Sequence, residues 1–291
     1  MSITSLDEPW RLIDEKGDVL IEKLKLFLEK TLRDSGKDGF TLGLSGGLDS
    51  STLAVLLRKS LGKDRVLALI LPDKDTPWED MKDAVSLAES FDLRYLVIDI
   101  SPIIDSFLHV LGQSRDSVDK IVLGNIKARV RMTIIYYYAN YMNLLVAATS
   151  DRTEYLLGYF TKWGDIAGDV HPLLNLYKTQ VRILARKLGL PEKIITKPSS
   201  PGFWPGHKSE EELGAPFEII DKVLYLAIDK QLSLQEIADV LGVDREMVNK
   251  IWERVMKNQH KRKIIAPPAY SFMYMENIEN LLKSIEKKEV G

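Results

Sequence analysis

The chain contains no cysteine. Disulfides, thiolate zinc sites and cysteine nucleophiles are excluded for these residues. An excess of one charge is also missing: 40 Lys and Arg stand against 42 Asp and Glu, a net charge of −2. That balance argues against broad electrostatic binding to nucleic acid and leaves room only for a local basic patch. Long apolar runs are lacking too. The most apolar stretch, Thr133 to Ala148, is broken by Asn140 and Asn143 and is too short to span a bilayer. Met1 to Glu15 mixes Asp7, Glu8, Arg11, Asp14 and Glu15 among scattered apolar residues, without the basic start and apolar centre of a signal peptide. The expectation is a cytoplasmic protein with no membrane and no nucleic-acid partner.

What is present begins with an ordinary globular composition. The 291 residues, 45% hydrophobic and 28% charged, suffice for one large α/β domain, or one with a helical appendage. Between Phe40 and Leu57 an apolar strand turns through Ser45-Gly46-Gly47 and opens directly into a helix. Glycines without side chains let backbone N–H groups converge on an anion, and the helix start adds free donors and positive dipole. Ser45, Ser50 and Ser51 supply hydroxyls. The loop lacks the lysine of a Walker A motif and places Asp49 near the helix start instead. A carboxylate beside bound phosphate needs a cation between them, so Asp49 is a candidate Mg²⁺ ligand; the alternative is a helix cap.

The hydrophobic pattern predicts a helix over Val19–Leu32, a strand over Phe40–Leu44 and a helix over Ser50–Leu61 stopped by Gly62. Strands over Val66–Leu71 and Tyr95–Ile100 follow, with a helix from Trp78 to Phe91 between them. Such alternation reads as a parallel sheet. A long helix over Val118–Asn143 precedes a fourth strand, Leu144–Ala148, whose end carries Thr149, Ser150 and Asp151 where open α/β sheets bind ligands. Residues 195–216 are rich in Pro, Gly and Ser and contain Phe203 and Trp204, which points to a lid, with a linker as the alternative. Ser233 to Trp252 looks superficially like a helix-turn-helix around Gly242, but its second helix offers a mixed charge set and serves equally as a packing unit.

Ser-Gly-Gly-Xaa-Asp-Ser resembles the signature of the ATP pyrophosphatases, which split ATP between the α and β phosphates. Asn125-Ile-Lys-Ala-Arg-Val-Arg-Met, Thr149-Ser-Asp-Arg-Thr-Glu, Gly158-Tyr-Phe-Thr-Lys-Trp-Gly-Asp and His260-Lys-Arg resemble, in order and spacing, the NAD synthetase family. The resemblance runs from about residue 15 to residue 265. It implies one domain over 1–291: a doubly wound parallel sheet (Rossmann-like, adenine nucleotide hydrolase type) over 15–195, the lid over 195–216 and a C-terminal helical part over 216–291. It also implies a homodimer with Mg²⁺, ATP, deamido-NAD and ammonia as its small-molecule partners. The implied reaction adenylates the nicotinate carboxylate of deamido-NAD, and ammonia then displaces AMP to give NAD.

By the same resemblance, Gly43, Leu44, Ser45, Gly46, Gly47, Leu48, Asp49 and Ser50 cradle the ATP phosphates, with Thr149, Lys178 and Ser200 also binding ATP. Asp49 and Glu154 take Mg²⁺. Asn125, Arg129, Lys162, Asp169, His260 and Lys261 match deamido-NAD positions; Asn125, Arg129 and Met132 fall at i, i+4 and i+7 on one helix face. Asp165 matches an aspartate near the ammonia site, giving it and Lys178 catalytic roles. Two positions depart from the family: Ser200 stands for a Thr beside a second hydroxyl, Ser199, and Ala148 for a usual Gly. Glutamine-using members carry an extra amidohydrolase domain with a cysteine nucleophile, so free ammonia is the expected donor. A regulatory nucleotide-binding module and a GMP synthetase-like amidase remain alternatives; the catalytic groups and the Gly158–Asp165 string disfavour them.

Overall fold

The computed structural model describes residues 7–204 and 206–263. In chain order the elements begin with α1 (Glu8–Ser35), β1 (Gly39–Gly43), α2 (Leu48–Leu61), β2 (Val66–Ile70), α3 (Trp78–Ser90), β3 (Arg94–Val97) and α4 (Ser101–Val110). Then come α5 (Lys120–Tyr141), β4 (Leu144–Val146), α6 (Arg152–Leu157), α7 (Lys178–Leu188), α8 (Glu192–Ile195) and α9 (Ser209–Leu213). Last are α10 (Phe217–Leu224), α11 (Leu234–Leu241), α12 (Arg245–Lys257) and α13 (Gln259–Arg262). The part of the expected C-terminal region beyond residue 263 lies outside the described residues.

The four strands form a parallel sheet in the order β3-β2-β1-β4, with Phe40 opposite Val66 on one side and Leu145 on the other. Both faces are covered, which is why β2 is a continuous apolar run rather than an alternating one. Val66, Ala68 and Ile70 pack with α1, α2, α3 and α7, whereas Leu67, Leu69 and Leu71 pack with α4 and α5. The chain steps outward from β1 to β3 and then returns to place β4 on the other side of β1, so the strand order reverses between β1 and β4.

The differences from the sequence reading sit at element ends. β3 stops at Val97 because it is the sheet edge; Ile98 and Ile100 still donate to the carbonyls of Ile70 and Pro72, at 2.9 and 2.9 Å, while the chain turns into α4. β4 is shorter than the apolar run: Ala147 still donates to Thr41 of β1 at 2.9 Å, and the next amide, Ala148, faces the other side and donates to Val170 at 2.9 Å. α1 starts earlier than the periodicity shows, with Pro9 in its first turn and non-helical geometry at Lys16 joining two helical pieces. α2 starts at Leu48 with Gly47 as its cap residue, so Asp49 lies in the first turn and is not the cap. α11 and α12 turn at Gly242 and bury Ile237, Val248 and Ile251 against α10, the packing alternative for this helix pair.

A buried ion cluster ties the loop after β2 to α5 and to the segment before it. Asp73 after β2 meets Arg115 at 2.7 Å and Lys127 of α5 at 2.7 Å, with Asp73 and Lys127 side chains each 1% exposed. Burial opposes the Asp73 charge, but the hydrogen bonds and charges of Arg115 and Lys127 hold its pKa well below the usual carboxylate range. A depressed folded pKa gives stability that is present above about pH 4 and lost as pH falls. Asp73→Asn leaves two buried cations short of a partner and should destabilise the fold by about 3–5 kcal/mol at neutral pH. Urea denaturation checks this, and the gap to wild type should shrink below about pH 4. An equal midpoint at neutral pH would make the cluster energetically idle.

Candidate active site

Where the strand order reverses, a cavity of about 440 Å³ opens at the carboxyl ends of β1, β2 and β4, the place that open parallel sheets reserve for ligands. Gly43, Leu44, Ser45, Gly47, Leu48, Asp49 and Ser50 line it from one side, Thr149 and Glu154 from another. Gly46 turns the loop at φ 78°, and a Cβ there would stand 2.4 Å from the Asp80 carbonyl oxygen. Only glycine fits so close to α3. Ser45 Oγ and Ser50 Oγ lie 2.9 Å apart and the Ser45 amide donates to Ser50 Oγ at 3.2 Å, so the cradle is held open by its own hydroxyls.

Beside the cradle the Lys178 ammonium, 0% exposed, stands 2.6 Å from Asp49 Oδ2, 2.8 Å from Asp151 Oδ2 and 2.7 Å from Glu154 Oε1. Asp151, which the sequence places at the ligand-binding end of β4 without a role, joins the site. It caps α6 by accepting from the Glu154 amide at 2.8 Å, which ties Glu154 to the strand end. Burial opposes the Lys178 charge, but the charges of Asp151, Asp49 and Glu154 hold its pKa well above the ordinary value. Enclosure outweighs the attraction of Lys178 and, with the Asp49 charge, pushes Glu154 up to about 7; burial likewise raises Asp151.

Three carboxylates and one ammonium carry two net negative charges when all are ionised. Oxygens from Asp49, Asp151 and Glu154 fall within 4.8 Å of one another, and among the described residues Asp49 Oδ1 is buried without a hydrogen-bond partner. Hard oxygen donors, matching charge and a free lone pair fit a Mg²⁺ ion that shares its coordination with phosphate oxygens.

The cavity continues toward α5, which faces it with Ile121, Asn125, Ala128, Met132 and Ile135. Arg131, absent from the sequence-derived set, also lines it and donates to the Leu71 carbonyl at 3.0 Å. Arg129 does not line it. Its guanidinium is exposed and donates to the Lys162 carbonyl at 3.2 and 3.3 Å, because the apolar-to-polar boundary of α5 runs between the two arginines and a spacing argument could not place it. Lys162 and His260 are also outside the cavity, joined by a bond from Lys162 Nζ to the His260 carbonyl at 3.2 Å. Asp169 is turned to the sheet, accepting from the Val146 amide at 2.7 Å. Lys261 lines the cavity and donates to the carbonyls of Gly158 and Phe160 at 2.9 and 2.9 Å.

Asp165 faces the open cavity, accepting from the Thr161 amide at 2.8 Å, and the protein walls around it push its pKa upward. The Ala148 methyl is accommodated because residue 168 is glycine; a Cβ there would lie 2.6 Å from that of Ala148. Over the top pass residues 196–204 and 206–208, where Ser199, Ser200, Phe203, Trp204 and His207 line the cavity. Phe203 covers Gly124, and Trp204 stacks on His207 with centroids 3.5 Å apart, so the two aromatic residues have a packing role. α9 adds a short helix that the sequence reading treated as loop.

A model of the NAD synthase family matches residues 20–265. The chain belongs to the NAD synthase family. It is 48% identical over 259 residues to an NH3-dependent NAD(+) synthetase of Hyperthermus butylicus, covering 89% of this chain and 92% of that protein. Against the NH3-dependent NAD(+) synthetase of Pyrococcus furiosus the identity is 41% over 255 residues, 88% and 97% of the two chains. Among solved structures, an NH3-dependent NAD synthetase from Campylobacter jejuni in complex with the nitrate ion superposes with a TM-score of 0.72 at 31% identity, over 86% of this chain and 98% of that one. An NMN synthetase from Francisella tularensis superposes with a TM-score of 0.74 at 33% identity, over 87% and 98%. As a member of this family the chain is a ligase that forms a carbon–nitrogen bond using ATP. Among the described residues no helix is long and apolar enough to cross a membrane.

Proposed function

We propose that this enzyme amidates deamido-NAD with free ammonia, through an adenylate, giving NAD, AMP and pyrophosphate. The observation that carries the reading is the phosphate cradle joined to the Asp49–Asp151–Glu154–Lys178 cluster at one cavity. A carboxylate is inert to ammonia until its oxygen becomes part of a leaving group. Its oxygen attacks the α phosphorus, pyrophosphate departs, nitrogen adds to the acyl carbon, and AMP leaves. The cradle and Lys178 take the charge of the departing pyrophosphate. Asp49 and Glu154, with Asp151, would hold Mg²⁺, which supplies charge neutralisation between those phosphates. Asp165, whose raised pKa suits proton exchange, takes the proton that ammonium must lose.

The acid substrate extends from the cavity toward the outer group formed by Arg129, Lys162 and His260. Arg129→Ala should raise the deamido-NAD KM about tenfold or more, as expected for losing one charge-assisted donor pair, and leave the ATP KM near its wild-type value. Equal changes in both would assign Arg129 to the fold. The segment 195–216 is a lid that keeps water from the adenylate. Protease cutting there should slow once ATP, Mg²⁺ and deamido-NAD are present, and an unchanged rate would remove the lid.

The likeness to NH3-dependent synthetases over nearly their whole length supports ammonia as the donor. The protein acts in the cytoplasm as a homodimer; exposed Phe107, Val110 and Leu111 at the end of α4, with Val122 of α5, supply apolar area for a second copy. Sedimentation tests that state. The likeness to the NMN synthetase supports a second reading, with nicotinate mononucleotide as the acid. Both acids should be offered with ATP, Mg²⁺ and ammonium: NAD with equimolar AMP supports the proposal, NMN favours the second reading, and ADP rejects adenylation.

A further inference from the structure

α10 turns two residues, at i and i+4, toward the start of α7. The Lys178 ammonium lies 5.5 Å from the Phe217 ring centroid, and Asp221, one turn further on, is fully buried. Asp221 Oδ1 accepts from Thr153 Oγ1 at 2.5 Å; Oδ2 accepts from the Thr179 amide at 2.8 Å and the Thr179 hydroxyl at 2.5 Å. Thr153 Oγ1 in turn accepts from the Lys178 amide at 2.9 Å, and Thr179 Oγ1 from the Trp10 indole at 2.7 Å. One carboxylate therefore joins the neighbour of Glu154 on α6 to the neighbour of Lys178 on α7, with α1 attached behind.

All of these donors are neutral, so Asp221 is not half of an ion pair. Burial opposes its charge and pushes its pKa up to about 6, although the Lys178 charge works the other way. An apolar side chain would satisfy the packing at less electrostatic cost. It could not accept three hydrogen bonds in fixed directions.

We propose that Asp221 is a positioning residue, which sets the Lys178 ammonium and the Glu154 carboxylate relative to each other by hydrogen bonding the threonines beside them. The proposal rests on the reading of Lys178 and Glu154 as the groups that serve ATP. A displacement of about 1 Å in such a constellation can cost about 10²-fold in rate.

Two readouts on the whole enzyme test it. In Asp221→Asn, kcat should fall about ten- to a hundredfold while both KM values stay within about threefold of wild type. The second readout needs no turnover: mass spectrometry of lysine acetylation compares Lys178 with Lys127, a comparably buried lysine paired with Asp73 and Asp75 in a separate cluster. Asp221→Asn should speed acetylation of Lys178 and leave Lys127 unchanged. Thr179→Val keeps Asp221 and the backbone bond, guards against a variant that does not fold, and should show the same selectivity to a smaller degree. The two substitutions should combine to less than the sum of their separate effects on kcat. Equal acceleration at both lysines, or none at Lys178, overturns the proposal whatever the activity. Failure of the wild type to make NAD overturns the assigned reaction instead.

Discussion

Lys178→Met should lower NAD formation by about 10³-fold or more, the scale of removing a charged group aimed at developing phosphate charge. The substitution keeps most of the side-chain volume and removes the one ammonium that meets Asp49, Asp151 and Glu154 at 2.6 to 2.8 Å. Three carboxylates without that cation repel an incoming polyphosphate or take up protons, and either response spoils the site. Arginine should not rescue it. The slot is fully buried under Phe217, and a planar guanidinium cannot enter a space shaped for one nitrogen. Steady-state NAD production at saturating ATP, deamido-NAD and ammonium is the measurement. Turnover within tenfold of wild type would leave Lys178 with a structural role alone.

The part of this site that could be read in the sequence is the part that is local in the chain. Gly43 to Ser50 are contiguous, and a strand, a glycine turn and a helix start leave little freedom in what they build. Glu154 follows from its spacing after β4. The Lys178–Asp49 contact, by contrast, joins residues 129 positions apart, and nothing in either neighbourhood announces it. Asp151 was visible at the strand end but has no local mark distinguishing a cap from a site carboxylate; it is both. Arg129 shows the limit of periodicity. Its i+4 spacing puts it on the helix face of Asn125, yet Asn125 lines the cavity and Arg129 donates to the Lys162 carbonyl outside it. The sheet was legible because Val66–Leu71 is apolar throughout, which a strand buried on both faces requires. Its ends were not, because they depend on a change of partner to Val170 and on edge exposure.

Asp49→Asn should reduce turnover by at least about 10²-fold, comparable to losing one electrostatic group in a transition state. Asparagine retains the shape and one carbonyl oxygen, so the first turn of α2, capped at Gly47 rather than at Asp49, should keep its stability. What changes is charge. Asp49 Oδ2 holds Lys178 while Oδ1 is buried with no hydrogen-bond partner among the described residues, an arrangement with one oxygen committed and one to offer a cation. The neutral amide would present either an oxygen of weaker donor strength or an N–H that repels the ion. The Mg²⁺ concentration giving half-maximal rate should therefore rise, and excess Mg²⁺ should recover part of the lost turnover. A loss of turnover that no Mg²⁺ concentration relieves would place Asp49 in the service of Lys178 only. A variant as active as wild type at every Mg²⁺ concentration would remove Asp49 from the reaction.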